Sequence, residues 1–122
     1  MPVLEVELVL RDDEILAEDL AGRIADAAGE VFDAVPGTTW VRLRTLPSSL
    51  YAESGGGPPQ DTHPVFVSVL KADLADSDTL SNEAERLAEA IATRVGRPRE
   101  HVHVIYEPAA RGRVAFGGKL VH

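Results

Sequence analysis

Six stretches of this chain carry a periodic pattern of apolar positions. Val3-Leu4-Glu5-Val6-Glu7-Leu8-Val9-Leu10 predicts a strand, its apolar run broken only by Glu5 and Glu7, which lie two apart and so share a face. Asp12-Asp13-Glu14 supplies caps and acid at a helix start, and Leu16, Leu20, Ile24, Ala27 and Val31 then recur at helical spacing until Val35-Pro36-Gly37 stops them. Trp40-Val41-Arg42-Leu43-Arg44-Thr45-Leu46 alternates with period two and predicts a second strand. Residues 47 to 64 are turn-rich around Gly55-Gly56-Gly57-Pro58-Pro59; without a following Lys-Ser or Lys-Thr these glycines read as turns, not as a phosphate loop. Val65-Phe66-Val67-Ser68-Val69-Leu70 predicts a third strand. Asp76-Ser77-Asp78 caps a second helix with its stripe at Leu80, Ala84, Leu87, Ile91 and Val95, and Gly96 and Pro98 end it. Arg94, Arg97 and Arg99 gather there, where cations complement the helix dipole. Val102-His103-Val104-Ile105-Tyr106 is the fourth strand, and a glycine-bearing tail follows.

The two halves answer each other. Pro2-Val3 corresponds to Pro64-Val65, Trp40-Val41-Arg42-Leu43 to His101-Val102-His103-Val104, and Gly56-Gly57 to Gly117-Gly118, at a shift of 61 to 62 residues. One βαβ unit is therefore made twice, in a first repeat of about 1–60 and a second of about 61–122. The expected fold is α/β (α+β) and a single domain. Each crossover makes its two strands parallel, and the four-stranded sheet carries both helices on one face because each helix has one apolar stripe. The other sheet face is left bare, which predicts oligomerisation.

Composition removes several function classes. Twelve basic against twenty acidic side chains give a net charge of −8, which argues against nucleic acid as a partner. There is no cysteine, and the histidines at 63, 101, 103 and 122 lack the paired spacing of a zinc site, so no metal is expected. No apolar run reaches the length of a membrane helix and no signal-type segment opens the chain, so the expected setting is soluble and cytoplasmic, with no membrane partner.

One position carries latent chemistry. If Met1 is removed, Pro2 presents a free secondary amine at the head of a rigid strand, able to act as base or nucleophile. The plain alternative is that proline suits the first position of a strand, where no ladder hydrogen is needed.

Pro2 at the head of a doubled βαβ chain of this length resembles the tautomerase superfamily. The single-chain branch of macrophage migration inhibitory factor and carboxymethyl-hydroxymuconate isomerase has the same two pseudo-repeats, and the tail from Val102 through Gly112 to Phe116-Gly117-Gly118 is similar to the end of a 4-oxalocrotonate tautomerase subunit. The resemblance implies a homotrimer and a keto-enol proton transfer on a small 2-oxo or unsaturated acid, with no cofactor. Pro2 would be the base, its pKa lowered by burial and nearby cations. Arg42 would hold the substrate carboxylate in a bidentate fork, and Arg44, two residues on and on the same strand face, would act with it. His103 matches Arg42 in the second repeat and would donate a hydrogen bond. Arg11 stands near a further family arginine, in a register one residue off. Phe116 or Val114 would wall the base, whereas Pro64, which matches Pro2 but is internal, would be silent. Hydration, dehalogenation and decarboxylation on the same scaffold stay open, as does a trimeric binding protein without turnover. The plain alternative is that Glu5 and Glu7 pair with Arg42 and Arg44 across strands and that His103 is a structural, hydrogen-bonded histidine.

Overall fold

The computed structural model describes residues 2–57 and 61–122; Met1 and the Pro58-Pro59 part of the expected turn lie outside the described residues. Strands β1 (Val3–Val9), β2 (Trp40–Leu46), β3 (Val65–Leu70) and β4 (Val102–Tyr106) form one sheet in the order β2-β1-β3-β4. The β1–β2 and β3–β4 pairs are parallel, as a crossover connection requires, and the two halves join through an antiparallel β1–β3 pair. Helices α1 (Leu20–Val31) and α2 (Ser77–Val95) are the crossovers. A hairpin of β5 (Ala115–Phe116) and β6 (Lys119–Leu120) closes the chain.

Alternation decides which face each strand buries. Leu4, Val6 and Leu8 of β1 and Val65, Val67 and Val69 of β3 point to one side, where they form a single core with Leu20, Ile24 and Ala28 of α1 and Leu87, Ile91 and Val95 of α2. Both helices therefore lie on that side. The intervening residues (Val3, Glu5, Glu7, Arg42, Arg44, Phe66, Ser68, His103 and Ile105 among them) face away from it.

The second helix follows its sequence signals. The Asp76 carboxylate accepts from the Thr79 backbone N–H at 2.9 Å, and this bond holds its carboxyl below the usual range. Gly96 stops the helix in the left-handed region at φ 68°, its N–H bonded to the Ala92 carbonyl. No heavy atom lies within 4 Å of a Cβ added there, so Gly96→Ala introduces backbone strain alone. That strain is expected to lower stability by about 1–2 kcal/mol in urea denaturation.

The first helix departs from expectation at both ends. It begins at Leu20, with Asp19 as a cap that makes no side-chain bond, rather than behind Asp12-Asp13-Glu14. Those acids close a turn after β1: Glu14 N–H bonds the Arg11 carbonyl, Asp13 sits at φ 59°, and the Glu14 carboxylate is taken by arginines. Leu16 still packs against the core, but from the loop. The helix also stops at Val31, before Val35-Pro36-Gly37, where Asp33 turns left-handed at φ 51°.

Arg97 is the second departure. It is a buried charged residue, 5% exposed, and not a solvated cation at the end of a helix. Its guanidinium donates to both Glu14 carboxylate oxygens (2.7 and 2.9 Å) and to the carbonyls of Val9, His63 and Val95. One side chain thus ties the end of β1, the turn after it, the approach to β3 and the end of α2.

Candidate functional site

The bare sheet face is a grid whose rows follow from strand register. Trp40, Val3 and Leu70 form one row, Arg42, Glu5, Ser68 and Ile105 the next, and Arg44, Glu7, Phe66 and His103 the third. Glu5 meets Arg42 at 2.5 Å and Arg44 at 3.8 Å. A depression of about 200 Å³ opens on this face, lined by Val3, Glu5, Arg42, Ser68, Leu70 and Glu107. Val3 and Leu70 give it apolar walls, Ser68 a hydroxyl, and Arg42 its cation.

Pro2 heads the strand that supplies Val3 and Glu5 to this depression. It is buried, and its carbonyl accepts from the Trp40 N–H at 3.0 Å, which continues the β1–β2 ladder by one step. The Trp40 ring meets Phe116 edge-on at 5.6 Å, so the terminal hairpin brings an aromatic wall to the Pro2 end of the sheet. The Trp40 indole N–H donates to the Gly37 carbonyl, which orients the ring.

The other sequence-derived residues fall elsewhere. Arg44 and His103 share the bare face with Arg42 but lie one row farther from Pro2, and the His103 ring rests 5.4 Å from that of Phe66. Arg11 is at the opposite end of β1, where it donates to the Gly96 carbonyl at 2.8 Å and pairs with Glu14. It belongs to the Arg97 network. Pro64 is buried at that same far end, its carbonyl bonded to the Val9 N–H. Two tail arginines that the sequence did not single out are also engaged: Arg111 makes a two-bond pair with Asp73, and Arg113 donates to the carbonyls of Pro108 and Ala109.

A further cluster was not legible in the sequence. On the helix side of the sheet, Lys71 just past β3 bonds Glu83 of α2 at 2.9 Å and sits 5.0 Å from the Phe32 ring centroid. Tyr106 donates to the other Glu83 oxygen at 2.9 Å; burial first, then this carboxylate, pushes its hydroxyl pKa up. These residues are far apart in sequence, and only the register of β3 and β4 against α2 brings them together.

As a sequence, the chain matches no protein-family model and no curated protein. Its fold does match solved structures. A fused 4-OT symmetric trimer superposes with TM-score 0.77 over 98% of this chain and 94% of that one, at 13% identity. The macrophage migration inhibitory factor of Trichinella spiralis gives 0.71 over 97% and 98%, at 10% identity. Pt0534 inactivated by 2-oxo-3-pentynoate gives 0.73 over 97% and 94%, at 18% identity. The chain shares the fold of these structures over nearly its whole length, the tautomerase-like α+β architecture expected from its sequence.

Proposed function

We propose that this chain, built on the tautomerase fold, is a cofactor-free tautomerase or isomerase of a small 2-oxo or unsaturated acid, with Pro2 as its proton-transferring base. The observation that carries the reading is the placement of Pro2: buried, at the head of β1, one residue from a depression that contains Arg42. Once Met1 is removed, the Pro2 nitrogen takes the proton of the enol hydroxyl and returns a proton to the neighbouring carbon, so the product is an isomer and the amine is regenerated. Arg42 holds the substrate carboxylate. Trp40 and Phe116 limit water at the Pro2 end.

The bare sheet face and the trimeric fused 4-OT support a homotrimer; in it, Arg44 and His103 would serve a neighbour's site. Light scattering at working concentration checks this, and a monomer would remove that role for both residues. A second reading, a trimeric binding protein without turnover, draws on the Glu5–Arg42 pair, which occupies the cation even without a substrate.

The deciding experiment uses a reagent that captures the amine. Pt0534 is a protein inactivated by 2-oxo-3-pentynoate, an alkyne conjugated to a ketone, to which a nucleophilic amine adds across the triple bond. Incubation of the Met1-free protein should add the mass of one reagent per chain at Pro2 and stop turnover. Unmodified, inactive protein would favour the binding reading. Arg42→Ala is expected to raise KM for carboxylate-bearing enols by about 10- to 100-fold with kcat nearly kept, and to spare uncharged enols. An equal loss on both substrate types would contradict the clamp.

A further inference from the structure

We infer that the depression beside Arg42 selects acids carrying a single carboxylate, and that Glu5 sets this preference. The inference rests on the reading above only in taking Arg42 as the carboxylate-binding group. Among the described residues, its lining holds one guanidinium and two carboxylates, those of Glu5 and Glu107. Glu5 already meets Arg42 at 2.5 Å, so an incoming carboxylate must displace it from the fork. This exchange is easy for one carboxylate. In the single chain the pair is solvent-facing, with the Arg42 side chain 67% exposed, and such pairs are weak.

A second carboxylate on the same small molecule has no such partner. In a space of about 200 Å³ it comes close to Glu5 and Glu107, well within the screening length of about 8 Å. Val3 and Leu70 offer it only apolar surface, and among the described residues Arg42 is the sole cation in the lining. The carbon body of a monoacid suits those walls, and Ser68 gives its oxo or enol oxygen a hydrogen-bond partner.

The test compares two acids of equal length, 2-oxohexanoate and 2-oxoadipate, which differ by one terminal carboxylate. Binding to Met1-free protein is read from the fluorescence of Trp40, the chain's only tryptophan, which lies opposite Val3. The monoacid should bind more tightly by roughly fivefold, the effect of one unit charge at about 4 Å in water. Glu5→Gln should strengthen diacid binding more than monoacid binding and bring the ratio toward one; Glu107→Gln should act in the same direction. Equal or tighter diacid binding by the unaltered protein, a ratio unmoved in Glu5→Gln, or no binding of either acid would overturn the inference. Pro2→Ala separates it from the catalytic reading, because turnover should fall while the preference persists. A protein that prefers the monoacid without turning over enols retains this inference and loses the base.

Discussion

Alanine in place of Pro2 is expected to reduce enol ketonisation by about 10²- to 10⁴-fold, the usual contribution of a positioned general base. The substitution leaves the backbone carbonyl that accepts from Trp40, and the β1 ladder begins only at Val3. Folding should therefore be little affected, and an unchanged circular-dichroism melt serves as the control. What is lost is a secondary amine whose ring locks the nitrogen against rotation about the chain. Protein that keeps Met1 should be equally inactive, since its Pro2 nitrogen is an amide. Intact mass establishes the state of the terminus before any assay. Undiminished turnover in Pro2→Ala, or full activity with Met1 in place, would remove Pro2 as the base.

The largest expected effect on stability comes from Arg97. Arg97→Ala should cost about 3–5 kcal/mol, because it strips the Glu14 carboxylate and three backbone carbonyls of their shared donor and leaves polar groups buried without partners. Equilibrium urea denaturation measures it, and a loss under about 1 kcal/mol would show that water replaces the guanidinium without penalty. The double variant Arg97→Met with Glu14→Leu should recover much of the loss by removing both charges together.

The same pair makes folding acid-sensitive. Hydrogen bonds from Arg97, opposed in part by burial and reinforced by the Arg11 N–H, hold the Glu14 carboxyl below its ordinary value of 4.5. A lowered carboxyl in the folded state stabilises fully above that ordinary value and loses its contribution as pH falls through the folded one. Urea midpoints taken from neutral pH downward should thus fall below about pH 4.5 more steeply in the unaltered protein than in Arg97→Ala. Parallel curves would assign the acid sensitivity to other carboxylates.

Local pattern was enough for most of the architecture. The four strands, the second helix with its Asp76 and Gly96 caps, and the parallel pairing inside each half follow from alternation, helical period and the crossover rule, all of which act within some 45 residues. The bare face of the sheet also follows, since one apolar stripe per helix covers only one side. The first helix shows where this ends. Asp12-Asp13-Glu14 has the composition of a helix cap, yet Glu14 gains more from a buried arginine 83 positions away than from a helix start, and α1 begins at Leu20 instead.

The candidate site divides along the same line. Pro2 and Arg42 stand out in the sequence because their chemistry depends on residue type and strand position. Their surroundings do not. The antiparallel β1–β3 pair places Ser68 and Leu70 beside Glu5 and Val3, the return of the chain after β4 adds Glu107, and the terminal hairpin carries Phe116 to Trp40. Arg11 reads in sequence as a candidate ligand and lies instead in the Arg97 network, because the fold sends the end of β1 away from Pro2. Period and residue chemistry are properties of short segments and determined the elements, the repeat and the latent amine. Which charges meet depends on contacts between segments distant in sequence, and only the tertiary structure decided that Glu5 shares Arg42 and that Arg97 is buried.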